Sequence, residues 1–454
     1  MERWEAQRVA VKDSNHRPYA FTGTRVLNPE TGKETKTDLL VHEGKLRFVG
    51  TGDLPDGTEV FDASNRVAVP GLVDIHVHLR EPGFEDSETI ASGTASAARG
   101  GFVAVASMAN TAPPIDDPQS VRFVLERARE AGLSRVYPIA AVSRGLEGKE
   151  LTEMFDLAAA GAIAFSDDGM TIMDTNLMRR ALEYAGMLNK VIVAHAEDLH
   201  LKRDGVAHEG YMATKLGLRP VPRATEEVIV GRDICLVEHT GGRLHVAHVS
   251  CARSVEMIRA AQAKGLRVTG EVTPHHLVFT DQNLATYDPN FKMAPPLREE
   301  EDRQALVQAL KDGVIQAVAT DHAPHNEISK DVTFDEAPCG VIGMETAFAT
   351  LYTGLVKTGE LDLATLVRAM STGPSAVFDL DHAALSDGGA ADLTLLDLDA
   401  TWTVGARDFV SRSKNCPWIG QTLTGLPVAT VSGGRLVYQH ESLRLSGAAT
   451  AGAR

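Results

Sequence analysis

The sequence has 454 residues, 43% of them apolar and 23% charged, with a formal net charge of −16. That length suits a barrel-sized domain plus additional structure, and the composition is that of an ordinary globular protein. The negative balance disfavours nucleic acid and anionic membrane as partners, and no stretch approaches the roughly 18 uninterrupted apolar residues of a membrane span. Four cysteines, Cys235, Cys251, Cys339 and Cys416, lie far apart with no C-x-x-C. That spacing fits a reducing compartment and neither a disulfide framework nor a thiolate zinc site. The opening "MERWEAQRVAVKDSNHRPYAF" is charged and lacks a signal-peptide core, so a cytoplasmic protein is expected.

Residues 1–18 show no periodicity and read as a flexible extension. Residues 19–70 hold short alternating strands such as "DLLVHEGKLRFVG". From 71 to 387 the pattern changes. β-rich apolar runs recur at 73–79, 102–108, 136–142, 162–168, 191–197, 244–250, 267–276 and 316–324. Near-continuous apolar runs of this length are what parallel strands covered on both faces require. Helix-patterned stretches separate them, clearest at 120–132, 254–265 and 298–313, each ending in the glycine that commonly stops a helix. This alternation predicts an α/β fold, a (β/α)8 TIM barrel. A doubly wound sheet is the alternative, but no G-x-G-x-x-G follows any of the strands. Residues 388–454 return to short strands, "ADLTLLDLD" and "ATVSGGRLVYQ". With 19–70 they predict a small β-sandwich domain built from both chain ends.

Active sites of such barrels form at the C-terminal ends of the strands. Here those ends carry His76 and His78, Asn110, Asp167 and Asp168, His195, His248 and Asp321. A lone histidine at a strand end is more often a packed residue than a ligand. His76 and His78 are a stronger pair, since alternate residues on a strand face the same way. Gathering four histidines and at least two of these three aspartates on one rim would be costly without a cation. Nitrogen and carboxylate ligands without thiolate suit Zn²⁺, with Mn²⁺, Co²⁺ and Fe²⁺ as alternatives. Six ligands exceed one tetrahedral ion, so two metals about 3.5–4 Å apart sharing a carboxylate are expected. Such a pair can hydrolyse an unactivated amide.

The motifs "DIHVHLREPG", "MANTAPP", "FSDDG", "AHAED", "HVAHVS", "EVTPHH", "KMAPPLR" and "ATDHAPH" occur in an order and spacing that resembles the dihydroorotases, the long bacterial type within the amidohydrolase superfamily. The likeness runs from about residue 19 to 441. It implies reversible cyclisation of N-carbamoyl-L-aspartate to L-dihydroorotate in pyrimidine synthesis. It further implies that His76, His78 and Asp321 hold one Zn²⁺ and His195 and His248 a second, with Asp168 as the bridge. Asp167 would face away by strand alternation. A hydroxide held by the metals would attack the ring carbonyl, with Asp321 shuttling the proton. Arg80, Asn110 and His325 would read the substrate's carboxylate, with main-chain contacts from Cys339 and Gly340. His275 and His276 would be structural or lie behind the ligands. A homodimer and an association with a carbamoyltransferase are also implied.

Two positions depart from the family pattern. Ala294 stands where an asparagine usually touches substrate, and Cys339 replaces a phenylalanine. His245, three residues before His248, is expected on the opposite strand face, outside the barrel interior. The rival readings are a hydantoinase or allantoinase, which would use a bridging lysine, and a non-catalytic scaffold for a carbamoyltransferase, which would tend to lose the histidines.

Overall fold

The computed structural model describes residues 17–50, 54–382 and 384–446. Most of the expected N-terminal extension, and the last eight residues of the chain, lie outside the described residues.

Eight parallel strands form the central sheet in sequence order: Leu72–Val77, Phe102–Ser107, Arg135–Ala140, Ala164–Ser166, Val191–Ala194, Leu244–Val246, Val268–Val272 and Ala317–Val318. A parallel bridge between Val77 and His322 joins the last strand region to the first, helped by the His78 N–H donating to the His322 carbonyl at 2.9 Å. The strands are apolar on both faces because both faces are covered. Inward, Val73, Ile75, Ala106, Ile139, Val193 and Ala317 fill the barrel, and Phe378 lies among them. Outward, Val105, Ile192 and Val246 pack on the apolar faces of the surrounding helices.

The helices start and stop where local chemistry dictates. In Pro118–Ala131 the Asp117 carboxylate accepts from the Gln119 and Ser120 N–H groups, Pro118 takes the first position, and Gly132 ends the helix in a left-handed turn at φ +65°. The seventh strand is shorter than its apolar pattern suggests. It stops at Val272, and a helix runs over Pro274–Val278. Thr273 caps that helix and Pro274 begins it, a start sequence that outweighs the strand pattern expected through His276.

The two chain ends meet in a separate eight-stranded mixed sheet. Its order is Arg435–Gln439, Thr422–Ser432, Leu393–Thr403, Val67–Pro70, Tyr19–Leu27, Glu34–His42 and Lys45–Phe48, with Glu59–Asp62 pairing Tyr19–Leu27. Tyr19, Phe21 and Phe61 pack ring to ring in its core. This sheet bears on the site because Val67–Pro70 ends one residue before the first barrel strand. The Gly71 N–H donates to the Asp392 carbonyl, and the Thr394 hydroxyl grips the Gly101 carbonyl at 2.5 Å. The foot of the first two barrel strands is thus sewn to the C-terminal segment.

Candidate active site

The rim of the barrel collects the polar residues. His76 lies within the first strand and His78 one residue past it. Asp168 follows the fourth strand by two residues, His195 the fifth by one, His248 the sixth by two and Asp321 the eighth by three. All are buried. Three of the residues on this rim take left-handed backbone: Arg80 at φ +64°, His248 at +34° and Asp321 at +47°. Non-glycine residues rarely hold that conformation, and where they do the surrounding structure holds them to it, typically at functional sites.

Two triads form, His76–His78–Asp168 and Asp168–His195–His248, and Asp168 belongs to both. Asp168 Oδ1 lies 3.4 Å from His76 Nε2, 3.4 Å from His195 Nδ1 and 3.5 Å from His248 Nε2, while Oδ2 lies 3.5 Å from His78 Nε2. Asp321 Oδ1 lies 3.0 Å from His78 Nε2 and 3.6 Å from His76 Nε2. His76 Nε2 and Asp168 Oδ1 are buried without a hydrogen-bond partner. Zinc–nitrogen bonds of about 2.0–2.1 Å in a tetrahedron put neighbouring ligand atoms about 3.3 Å apart. The four Asp168 spacings of 3.4–3.5 Å match that edge and exceed a good hydrogen bond, whereas His78–Asp321 and His195–His248 stand at hydrogen-bond distance, 3.0 Å each. The donor set therefore fits a divalent cation.

Electrostatics agree. Burial favours neutral forms, yet the His and Asp groups hold each other charged. Burial lowers His76, but Asp168 and Glu271 outweigh it and raise its pKa well above the usual histidine range. Burial raises Asp168, but His76, His195 and His248 bring it well below the ordinary carboxylate range. Asp321 is likewise depressed by His78, His76 and His248 against its burial. A bound cation would replace the protons on these rings.

Three of the four rings have a partner on the outer nitrogen that fixes their orientation. His76 Nδ1 meets Glu271 Oε1 at 2.6 Å, His78 Nδ1 meets Asn110 Oδ1 at 2.8 Å, and His195 Nε2 meets Glu197 Oε2 at 3.3 Å. Glu197 is in turn held by Lys202. Asp167 turns away, taking the N–H groups of Val142 and Ser143 at 2.8 and 2.9 Å and the Ser143 hydroxyl.

Arg80 is placed beside this cluster. Its Nε donates to the Pro324 carbonyl at 3.0 Å, and its two terminal nitrogens have no acceptor among the described residues. Burial lowers its pKa to about 10 against Asp321, Asp168 and Glu88, which leaves it a cation at neutral pH. His325 differs from the expected donor. Its Nε2 lies 2.8 Å from the Cys339 carbonyl, which can only accept, so that nitrogen carries the proton and Nδ1 is left as an acceptor. Burial first, then Arg80 and Lys330, lowers its pKa to about 3, so it stays neutral. Gly340 packs against the same ring, with φ +125° and an added Cβ only 3.1 Å from His325 Nε2. Asn415, which no motif singled out, ties the loops together by donating to the carbonyls of Ala323 and Gly340 at 3.0 and 3.1 Å.

His245 is inside the barrel: its Nε2 lies 3.1 Å from Glu271 Oε2 and its ring touches Phe378. Strand alternation failed between His245 and His248 because the strand ends at Val246 and His248 leaves it in left-handed backbone. His275 is buried with neither ring nitrogen bonded, and burial lowers its pKa to about 4.

The arginine loop rests on backbone alone at one point. A Cβ on Gly83, at φ +101°, would sit 2.2 Å from the Ala112 carbonyl oxygen. Gly83→Ala is expected to cost roughly 2–4 kcal/mol in denaturant unfolding through backbone strain and overpacking. It should also raise KM, because Arg80 and Asn110 sit on the two loops that would be forced apart.

Residues 65–254 match a family model described as dihydro-orotase-like. A dihydroorotase of Pelotomaculum thermopropionicum is 48% identical over 422 residues, 93% of this chain and 99% of that one. One of Anaeromyxobacter dehalogenans strain 2CP-1 is 49% identical over 422 residues, 92% of this chain and 97% of that one. Among solved structures, the L-hydantoinase (dihydropyrimidinase) of Arthrobacter aurescens superposes with a TM-score of 0.82 at 27% identity, covering 94% of this chain and 97% of that one. The dihydropyrimidinase of Brevibacillus agri NCHU1002 shares the fold, with a TM-score of 0.80 at 24% identity over 93% of this chain and 95% of that one. A barrel with amidohydrolase architecture, carrying near-half identity to the two dihydroorotases along almost its whole length, belongs to the dihydroorotase family.

Proposed function

We propose that this chain is a metal-dependent dihydroorotase, closing N-carbamoyl-L-aspartate to L-dihydroorotate and opening it again. The observation that carries this reading is Arg80, a half-buried cation with two uncommitted terminal nitrogens beside a His/Asp cluster of ligand spacing. A site of that kind binds an acid while an amide reacts next to it.

His76, His78 and Asp321 would hold one Zn²⁺, His195 and His248 the other, with Asp168 between them. When bound, such a pair supplies positive charge that activates water and polarises an amide carbonyl. Everything else falls to the chain. Asp321 Oδ1 is engaged with His78, and Oδ2 has no hydrogen bond among the described residues. That free oxygen accepts the proton from the attacking water and returns it to the ring nitrogen as the C–N bond breaks. In the closing direction it removes the same proton from the ureido nitrogen. Arg80 grips the substrate carboxylate, and the Asn110 amide, whose oxygen faces His78, keeps its N–H groups for the same ligand. His325 Nδ1 accepts a substrate N–H. Of the main-chain contacts expected from Cys339 and Gly340, the Gly340 N–H already donates to the Lys292 carbonyl at 2.9 Å and the two carbonyls already accept from His325 and Asn415, which leaves the Cys339 N–H for substrate. Ala294 can contribute no side-chain hydrogen bond.

The hydantoinase reading lacks a place for its bridging lysine, since no lysine lies between Lys149 and Lys190. The deciding experiment offers dihydroorotate and hydantoin to the purified protein. Dihydroorotate should be turned over well and hydantoin poorly, and the reverse preference would replace this reading with the rival. Chelator treatment should abolish turnover and added Zn²⁺ should restore it, with metal analysis giving between one and two ions per chain. Full turnover by metal-free protein would sink the metal assignment.

A further inference from the structure

The carboxylate of Glu271, which opens the EVTPHH motif but draws no role from the sequence, is placed to act on the metal site from below. It stands in the seventh barrel strand with 1% exposure and is flanked by histidines from two other strands. Oε1 meets His76 Nδ1 at 2.6 Å and Oε2 meets His245 Nε2 at 3.1 Å. His245 Nδ1 meets the Thr269 hydroxyl at 2.8 Å. These four side chains form one chain of contacts through the barrel interior. It starts at a ring whose other nitrogen, His76 Nε2, is buried without a hydrogen bond.

The hydrogens along it are fixed by what each atom can do. A carboxylate oxygen only accepts, so His76 keeps a proton on Nδ1 and Nε2 is the nitrogen that would give its lone pair to a cation. By the same logic His245 carries its proton on Nε2. Its Nδ1 then accepts the Thr269 hydroxyl proton. Each Glu271 oxygen is thereby held by a histidine N–H.

We propose that Glu271, braced by His245, is a positioning residue that sets the tautomer and aim of His76 and so raises the metal affinity of the first site. The proposal rests on the reading that His76 is a ligand. A partner of this kind also makes the ring more basic, and its loss costs metal affinity while leaving the ligands in place. Thr269 and His245 act one step further out, by keeping Glu271 from turning.

The test is Zn²⁺ affinity measured by competition with a chromophoric chelator, on full-length protein without substrate. Glu271→Gln keeps the shape and removes the charge. It should weaken Zn²⁺ binding by about 10- to 100-fold, with the thermal transition of the metal-free protein close to wild type. Wild-type affinity in this variant overturns the proposal. If Glu271→Gln does not fold, the His245 pair decides. His245→Gln retains an N–H donor for Oε2 and should bind Zn²⁺ like wild type, whereas His245→Leu frees the carboxylate and should bind about tenfold more weakly. Equal affinity in the two His245 variants overturns it as well. Because no substrate is present, these outcomes stand apart from the activity assignment. A protein preferring hydantoin could still show the Glu271 effect, and a dihydroorotase could lack it.

Discussion

Asp168→Ala should leave a folded chain with little bound metal and dihydroorotate hydrolysis reduced by roughly 10³- to 10⁴-fold. Asp168 is the one residue common to both triads, with oxygens 3.4–3.5 Å from all four histidines. Removing it leaves four imidazoles that cannot gather two cations. The several kcal/mol of charge stabilisation that metals supply would go with them, at about 1.36 kcal/mol for each factor of ten. Its neighbour is the control. Asp167→Ala should keep metal but lose roughly 2–4 kcal/mol of stability, because the buried N–H groups of Val142 and Ser143 lose their acceptor. Metal analysis of the two variants side by side checks this. Full metal occupancy in Asp168→Ala would remove the bridge from the scheme.

Arg80→Ala should lower kcat/KM for dihydroorotate by roughly 30- to 1000-fold, the loss of about 2–4 kcal/mol from a charge-assisted contact in a buried site. Arg80→Lys should recover little, since an ammonium is a point charge and cannot offer two parallel N–H donors. Metal content should remain normal in both, because the guanidinium faces the cluster without joining it. Unchanged hydrolysis by Arg80→Ala would leave the carboxylate without its reader and reopen the hydantoinase reading. Steady-state kinetics with metal analysis on the same preparations separates binding from metal loss.

Much of this site could be read from the chain because strand ends are legible. Apolar runs locate the strands, and polar residues just beyond them can only lie on the rim. His76, His78, Asp168, His195, His248 and Asp321 all follow from that rule. What could not be read were the residues inside the barrel and behind the rings. Glu271 lies in an apolar run where a carboxylate looks like an anomaly, and only the fold brings it to His76 from 195 residues away. Asn415 sits in a loop near the C-terminus and reaches Ala323 and Gly340 only through tertiary packing. Alternation failed at His245, since parity counts only while the strand lasts. Backbone left-handedness at His248 is invisible in composition. The flanking strands could be recognised as one unit, but their order could not, because nothing local says that Leu393 pairs with Pro70.

That pairing has a consequence for how the molecule is made. Pro70 leaves the ribosome roughly 320 residues before Leu393, about 15–65 seconds at ordinary elongation rates of 5–20 residues per second. Throughout that interval Val67–Pro70 has an open edge, and the strand bearing His76 and His78 lacks the anchor at its foot. An unpaired apolar edge of this sort invites association with other nascent chains. Leu393–Thr403 closes that edge when it is synthesised, and Thr422–Ser432 then pairs along its other side. Securing the first barrel strand therefore waits for residues 393–396, and a chain released before them carries every candidate metal ligand on a barrel whose first strand is still unsecured.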